Sequence, residues 1–208
     1  MTFDNFYSKL PLIAILNGLK QEKAIETGRV LIKSGFKLIA VSLNSKNALQ
    51  SIALMVKEYG NKASIGAGCV LTTKQVSEVA NIGAQFIVSP NCKIEVIKQT
   101  KQLGLKSIPG IATPSEAFNA LEYGADILSV FPAELILPVN IKAVLPVLPK
   151  NTQLLPTGGI DLNKMVPYSK AGASGFIFGG ILFKPYYLLS QVEENALRII
   201  TAYQNRCT

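Results

Sequence analysis

The side chains in this sequence that could act as nucleophiles in a pocket are the thiol of Cys69 and the hydroxyl of Ser129, each in or beside a short apolar run. Activation of either group needs a neighbouring base, and the sequence contains no histidine. The carboxylates of Asp126, Glu134 and Asp161 lie before or beyond the ends of the apolar runs. We therefore expect Cys69 and Ser129 to line a pocket as packed, hydrogen-bonded side chains.

Two pairs of adjacent glycines, Gly158–Gly159 and Gly179–Gly180, each follow a short apolar run. Adjacent glycines let backbone N–H groups turn toward an anion and let that anion approach closely. In barrels of alternating strands and helices, the loops after strands seven and eight frequently form a phosphate site. The placement predicts phosphate binding at Gly158, Gly159, Gly179 and Gly180, with simple tight turns as the alternative.

Apolar runs and amphipathic stretches alternate along the chain and would position these residues. The apolar runs, typical of strands buried on both faces, span residues 10–16, 38–43, 63–70, 86–89, 106–111, 127–131, 153–157 and 175–178. Helical patterns occupy residues 20–34, 46–59, 73–82, a stretch that ends at Gly104, 115–123, 141–148, 161–170 and 190–203. This alternation predicts an α/β fold, a (β/α)8 TIM barrel. A doubly wound sheet is the alternative, but no G-x-G-x-x-G follows the first strand.

In a barrel, the residues at the carboxyl ends of the strands meet at the face where chemistry is done. Besides the glycine pairs, the predicted ends are Asn17, Asn44, Cys69, Pro90, Thr113, Ser129, Phe131 and Thr157. Lysines also follow several strands, at Lys20, Lys46, Lys74, Lys93 and Lys184. We expect these lysines to lie on the rim and point to solvent. Lys184, beside Gly179–Gly180, is the best placed of them to supply an amine.

Composition indicates a single compact domain over residues 1–208, because 49% of the residues are hydrophobic and no linker interrupts the pattern. The net charge is +8, yet no run of five or six basic residues occurs. This pattern favours small anionic ligands over nucleic acid as partners.

Cysteine usage and hydropathy exclude several classes of protein. Cys69, Cys92 and Cys207 show no CxxC spacing and have no histidine to join them, so neither a metal site nor a disulfide framework is predicted. No apolar run reaches the roughly 18 residues of a membrane span, and the amino terminus lacks the pattern of a signal peptide. We expect a cytoplasmic protein with no membrane partner and no cofactor.

Specific motifs resemble those of the aldolases that cleave 2-keto-3-deoxy-6-phospho sugar acids into pyruvate and glyceraldehyde 3-phosphate. They are PLIAIL at 11–16, IGAG at 65–68, GAQFIVSPN at 83–91, IPGIATPSEAF at 108–118, FPAE at 131–134 and PTGGI at 156–160. Residues 42–45 and 90–91 look more like the phosphogalactonate branch than the phosphogluconate branch, which usually has an arginine where Asn44 stands. The resemblance implies a (β/α)8 barrel and a homotrimer.

Four polar working positions of the resembled family are altered in this sequence. The Schiff-base lysine matches Ser129, and the acid/base glutamate matches Ala40. The substrate-contacting arginine matches Asn17, and the threonine near the pyruvate carboxylate matches Cys69. A serine hydroxyl cannot form an imine with a ketone, and alanine cannot transfer a proton. The family's mechanism therefore cannot run on these residues.

Three interpretations of function are compatible with this sequence. The first is a relative that binds a phosphorylated or carboxylated small acid without the Schiff-base reaction, as a sensor or partner. The second is an active aldolase of the same family with a relocated catalytic group, for which Lys184 is the candidate. The third is a different reaction, without a Schiff base, in the same pocket. A (β/α)8 barrel is compatible with all three interpretations, because function depends on the residues of the site and not on the fold.

Overall fold

The computed structural model describes residues 2–205 and shows an α/β fold of parallel strands surrounded by helices. Cys207 lies outside the described residues. The strands of this part of the chain are β1 (Leu12–Leu16), β2 (Leu38–Ser42), β3 (Ser64–Gly68), β4 (Phe86–Val88), β5 (Lys106–Ile108), β6 (Gly110–Ile111), β7 (Leu128–Val130), β8 (Leu154–Pro156) and β9 (Phe176–Phe178).

Helices precede or follow nearly every strand. They are α1 (Phe3–Tyr7), α2 (Ala24–Ser34), α3 (Ala48–Tyr59), α4 (Thr73–Asn81), α5 (Ile94–Gln102), α6 (Pro114–Glu122), α7 (Pro138–Val144), α8 (Leu162–Lys170) and α9 (Leu189–Gln204). Short 3-10 turns at Gln21–Lys23 and Leu145–Val147 adjoin α2 and α7.

The strands pair in parallel in a six-stranded sheet of order β5-β4-β3-β2-β1-β9 and a three-stranded sheet of order β6-β7-β8. The two sheets approach each other at both sides, since only Pro109 separates β5 from β6 and a bridge joins Thr157 to Ile177. The result is an α/β fold with a TIM-like arrangement of parallel strands, which agrees with the predicted α/β class. The hydrogen bonds between strands do not form one continuous ladder, however. The sequence predicted an unbroken strand over residues 106–111, but Pro109, which has no N–H to donate, separates β5 from β6.

Local sequence signals set the starts of several helices. Thr72 accepts from the N–H of Gln75, and Thr113 accepts from the N–H of Glu116, so both make capping boxes. Pro114 occupies the first turn of α6, where its missing N–H costs no hydrogen bond. These caps fix where α4 and α6 begin and so set the length of the loops that follow β3 and β6.

Two predictions about helices were incomplete. α7 begins at Pro138, earlier than the predicted residue 141, because a proline is well suited to the first turn of a helix. The sequence prediction also missed α1, which covers the amino-terminal end of the barrel. There the Phe3 ring packs against Phe86 at 5.2 Å, and Asp4 pairs with Lys106 at 3.0 Å.

The apolar core has two parts. Helices and the outer faces of the strands share a large outer cluster, while a smaller cluster fills the barrel interior. The interior cluster consists of Phe3, Phe6, Ile13, Ile15, Leu38, Ala40, Phe86, Val88, Ile108, Ile127, Leu155 and Ile177. Since side chains fill this interior, a ligand site is expected above it, at the carboxyl ends of the strands.

No helix in the stretch from residue 2 to residue 205 is long and apolar enough to cross a bilayer.

Candidate functional site

A cavity of about 950 Å³ opens at the carboxyl ends of the strands. Its lining comprises Ile15, Asn17, Asn44, Cys69, Val88, Ser89, Pro90, Ser129, Phe131, Glu134, Thr157, Gly158, Gly159, Ile160, Asp161, Ile177, Gly179, Gly180, Ile181, Lys184, Tyr187 and Asn195. The volume is within the range of small-molecule sites.

The structure brings most of the sequence-predicted site residues together in this cavity. These are Asn17, Asn44, Cys69, Pro90, Ser129, Phe131 and all four glycines of the two pairs. Two residues singled out in the sequence lie elsewhere: Ala40 is buried in the barrel interior, and Thr113 caps α6 beside a different cavity. The roles assigned to the cavity residues remain predictions.

Ser129 is held by a hydrogen bond inside the cavity. Its hydroxyl donates to Thr157 Oγ1 at 2.8 Å, and the Thr157 hydroxyl donates to Leu155 O at 3.3 Å. Only 1% of Ser129 is exposed. Because its proton is directed into this chain of hydrogen bonds and its acceptor is a hydroxyl rather than a base, the Ser129 side chain is a positioned polar group.

Ala40 lies on β2 directly beside Ile15 of β1 and Gly66 of β3. It is fully buried among the apolar residues of the barrel interior. Ile15 lines the cavity, and Ala40 is its partner on the neighbouring strand, so Ala40 lies next to the cavity lining. The methyl group leaves this part of the site without any group that could accept or release a proton.

Cys69 lies immediately after β3 with a φ of 57°, a left-handed conformation that residues with a side chain seldom adopt. Gly68 ends the strand before it. This turn directs the chain into the cavity lining, where Cys69 is partly exposed. The structure thus places the thiol at the site, in a conformation of the kind that clusters at ligand sites.

The Gly158–Gly159 turn packs against an acidic side chain. Both glycines have positive φ, 88° and 60°, and a methyl group at Gly159 would collide with the side chain of Glu134. The Phe131 ring lies 3.3 Å from the position that a Gly158 Cβ would take. Outside the turn, the ammonium of Lys164 donates to Gly159 O at 2.6 Å.

Glu134 and Asp161 correct the expectation that no carboxylate reaches the strand ends, because both line the cavity. The N–H of Ala133 donates to Thr157 O at 2.8 Å and folds the segment after β7 back over the cavity, which brings Glu134 inward. Asp161 caps α8 by accepting from the N–H of Lys164 at 3.0 Å. The sequence analysis placed Asp161 at the start of the helical stretch 161–170, but it gave no indication that Glu134 returns to the cavity.

The Gly179–Gly180 turn has different neighbours. Neither glycine has a positive φ, and the position of a Gly179 Cβ would lie 3.6 Å from the amide nitrogen of Asn17. The position of a Gly180 Cβ would lie 4.0 Å from Lys184 Cε. The two glycine pairs, which look alike in sequence, therefore face opposite charges.

Lys184 is partly exposed and contributes to the lining of the cavity. Its ammonium lies 5.8 Å from the ring centres of both Tyr186 and Tyr187. A hydrogen bond with Tyr186, aided by the electrostatic effect of both phenols, raises the pKa of Lys184 above the ordinary lysine value. An amine with a raised pKa is largely protonated and hence a poor nucleophile.

The other lysines considered from the sequence lie away from this lining. Lys20 and Lys46 border a separate cavity of about 750 Å³, Lys74 pairs with Glu78 at 3.9 Å, and Lys93 reaches Leu71 O at 3.5 Å. In residues 2–205, no three His, Cys, Asp or Glu residues gather in a way that could hold a metal ion.

Comparison with known proteins gives concordant matches over nearly the whole chain. A family model described as "KDPG and KHG aldolase" matches residues 3–201. The chain is 38% identical over 197 residues to the 2-dehydro-3-deoxy-6-phosphogalactonate aldolase of Escherichia coli (strain K12), covering 95% of this chain and 96% of the relative.

Solved structures show the same likeness. One described as "Native KDPGal structure" superimposes with a TM-score of 0.94 at 38% identity and covers 96% of this chain and 97% of that chain. A second, a cube-shaped protein cage designed by fusing symmetric oligomeric domains, also gives a TM-score of 0.94 at 38% identity, covering 96% of this chain and 74% of that one.

Proposed function

This chain belongs to the KDPG and KHG aldolase family, and from that membership we propose that it binds a phosphorylated small acid without performing the family's Schiff-base reaction. The relative from Escherichia coli acts on 2-dehydro-3-deoxy-6-phosphogalactonate. A phosphorylated sugar acid of that kind, or a smaller phosphorylated carboxylate, is the ligand class that we assign to the cavity.

The observation that carries this proposal is the environment of Ser129. A class I aldolase needs an unprotonated lysine amine, which forms an iminium with the substrate ketone and stores the electrons of the broken C–C bond. Ser129 occupies the position that the resemblance gives to that lysine, and its hydroxyl is engaged with Thr157 Oγ1 at 2.8 Å. A hydroxyl held in this way can orient a ligand but cannot form an imine.

The surroundings of Ala40 support the same conclusion. A buried acid/base group at this position would be expected to contribute about 10²–10⁴-fold to the rate. Ala40 offers only a methyl group beside Ile15, one of the residues of the cavity floor. Without an amine at residue 129 to store electrons and an acid/base group at residue 40 to carry a proton, the site is suited to binding a ligand and not to cleaving its C–C bond.

An active aldolase with a relocated amine is the second candidate. Among the cavity-lining residues within 2–205, Lys184 supplies the amine nitrogen. Its raised pKa keeps it as an ammonium at neutral pH, which opposes imine formation and favours contact with an anion. A third candidate is a reaction that needs no Schiff base, for which Glu134 or Asp161, the carboxylates in the cavity lining, could carry the proton.

We also propose that the chain associates with copies of itself as a homotrimer, as the family resemblance implies. An apolar surface supports this proposal: Leu135, Leu137, Val139 and Val147, in and around α7, are 79%, 57%, 65% and 61% exposed. Exposed apolar patches of this kind commonly mark protein contacts. The similarity to a designed cage built from symmetric oligomeric domains agrees with it.

Trapping with borohydride in the presence of pyruvate tests the absence of the Schiff base. We expect no pyruvyl adduct on any lysine by peptide mass mapping. An adduct on Lys184 would instead establish the relocated aldolase.

Binding is tested separately by thermal unfolding with inorganic phosphate or 3-phosphoglycerate. At a hundredfold excess over its dissociation constant, either ligand should stabilise the protein by about 2.7 kcal/mol. The Gly180→Asp variant, which places a negative charge beside Lys184, should lose this response. If both proteins melt unchanged at saturating ligand, the cavity is not an anion site.

A further inference from the structure

We propose that a second anion site lies between the loops that follow β1 and β2, where Lys20 and Lys46 hold a small organic dianion. Both lysines line a cavity of about 750 Å³ beside the larger cavity at the strand ends. This second site is independent of the ligand that the proposed function assigns to the larger cavity.

A buried serine holds the two lysine-bearing loops together. The N–H of Gly18 donates to Ser45 Oγ at 2.9 Å, and the Ser45 hydroxyl donates to Leu16 O at 3.4 Å. Ser45 is only 6% exposed, so water does not compete freely for these bonds. Lys46 is the next residue after Ser45, and Lys20 lies two residues beyond the other end of this contact. A site whose backbone is already fixed loses less entropy when a ligand binds.

The segment after β9 also supports the loop that carries Lys20. Gly18 has a φ of 72°, and a Cβ at this residue would lie 2.6 Å from Pro185 Cγ. Glycine permits both this backbone conformation and this close approach. The loop is therefore packed against Pro185 as well as bonded to Ser45, and its path past the second cavity is fixed.

Neither lysine has an ionic partner in the described part of the chain. The ion pairs of residues 2–205 use other lysines, such as Lys101 with Asp126 at 2.6 Å. Glu22 also lines the second cavity, so two cations and one carboxylate border the same space and an excess of positive charge remains. Because like charges repel, an anion bound between Lys20 and Lys46 relieves their repulsion and is attracted by both.

The rest of the lining indicates an organic anion and not a bare inorganic ion. A volume of about 750 Å³ is within the range of small-molecule sites. The side-chain amides of Asn44 and Asn47 can donate to carboxylate or phosphate oxygens. Ile25 and Leu54 add apolar surface, and Leu54 is 38% exposed. These groups suit a short carbon chain with two negative charges, such as a phosphate monoester or a dicarboxylate.

The two cavities adjoin at Asn44, which lines both of them. They share no charged residue, so each can hold its own anion. Lys20 and Lys46 are exposed, and salt screens exposed charges, so the second site should bind more weakly than the larger cavity. Its effect on thermal stability is therefore small at ligand concentrations that saturate the larger cavity.

Amide chemical shifts of the isotopically labelled 208-residue protein report the two sites separately. The probes are 3-phosphoglycerate and succinate, with sodium chloride at matched ionic strength as the reference. One double variant is Lys20→Gln, Lys46→Gln and the other is Lys20→Arg, Lys46→Arg. The matched control is Lys57→Gln, Lys62→Gln, because both of these lysines are exposed and lie at or just beyond the carboxyl end of α3, away from Lys46.

In the native protein, 3-phosphoglycerate should shift the amides of Gly18 and Ser45 until they saturate. In the glutamine double variant, the affinity read at these amides should fall roughly threefold to thirtyfold, because two exposed charge contacts are lost. The arginine double variant should stay within about threefold of the native affinity, since arginine also binds phosphate and carboxylate. Equal affinity for succinate would identify a dicarboxylate site, and a response to 3-phosphoglycerate alone would identify a phosphate site.

Two results would refute the second site and leave the proposed function intact. In the first, sodium chloride moves Gly18 and Ser45 as far as the probes do. In the second, the glutamine double variant titrates like its control. If Gly18 and Ser45 respond to 3-phosphoglycerate while Gly179 in the larger cavity does not, the second site stands and the proposed function fails. If none of these amides responds, both proposals fail.

Discussion

The Ser129 hydroxyl donates a 2.8 Å hydrogen bond to Thr157 Oγ1, and this contact joins the strand β7 to the chain just beyond β8. Both residues line the cavity, so the bond fixes two walls of the site relative to each other. It also accounts for the stability of a buried serine in a place where the resembled aldolases carry a lysine. The predictions below follow from this contact and from the charges around it.

The double variant Ser129→Lys, Ala40→Glu should gain measurable pyruvate release from 2-keto-3-deoxy-6-phosphogalactonate. Burial lowers the pKa of a lysine and raises that of a glutamate, which suits an amine nucleophile and a proton carrier. A coupled pyruvate assay and borohydride trapping at residue 129 provide the measurement. The Ser129→Met, Ala40→Gln variant is the control, with side chains of similar size that cannot do this chemistry. A folded double variant without turnover and without adduct would show that the cavity does not present the substrate ketone to β7.

Gly159→Ala should destabilise the protein more than Gly180→Ala. Gly159 has a φ of 60° and its Cβ would collide with Glu134, whereas the nearest atom to a Gly180 Cβ is Lys184 Cε at 4.0 Å. The expected cost is about 1–3 kcal/mol for Gly159→Ala. For Gly180→Ala we expect a change within roughly 0.5 kcal/mol. Equilibrium urea unfolding measures both, and equal losses of stability would contradict the difference between the two turns.

Phosphate binding should persist from pH 7 to about pH 9. Tyr186 and Tyr187 raise the pKa of Lys184, so its ammonium is complete below the ordinary lysine range of about pH 10.4 and is lost only above it. Glu134 and Asp161 are the carboxylates that line the same cavity. Below about pH 6 the affinity for a phosphate monoester such as 3-phosphoglycerate should fall, because the monoester group loses its second charge.

Titration calorimetry across this pH range tests the prediction, with Lys184→Arg as the variant whose charge does not titrate. A decline in native affinity between pH 7 and pH 9 that is absent from Lys184→Arg would mean that Lys184 titrates early and that its pKa is not raised.

Self-association should depend on the apolar surface around α7. We expect Leu137→Lys to shift the protein from trimer to monomer in sedimentation velocity, because a charge in an apolar contact is costly to bury. Leu103→Lys is the matched control, since Leu103 is also an exposed leucine, at 43%, on another surface. A native protein that sediments as a monomer at high concentration would refute the homotrimer, and equal behaviour of the two variants would exclude this surface as the contact.

Much of the architecture could be predicted because it depends on local patterns. Buried parallel strands appear as continuous apolar runs, and Thr113 followed by Pro114 marks the start of α6 by residue type and spacing. The strand-end rule then gathered Asn17, Cys69 and Ser129 correctly around one cavity. The predictions failed where a single residue alters a ladder, as Pro109 does between β5 and β6.

The sequence by itself determined the repeating strand-helix order, the family, and the presence of Ser129 and Ala40 at the positions that the resemblance gives to a lysine and a glutamate, because each of these is a matter of residue identity and period. Only the tertiary structure decided that Glu134 folds back onto Gly159 and that Lys184 enters the cavity beside Gly180. Side-chain direction after a strand end depends on how the following turn packs against neighbouring strands, and that packing involves residues distant in the chain. The two glycine pairs have the same sequence, but one lies beside the carboxylate of Glu134 and the other beside the side chain of Lys184.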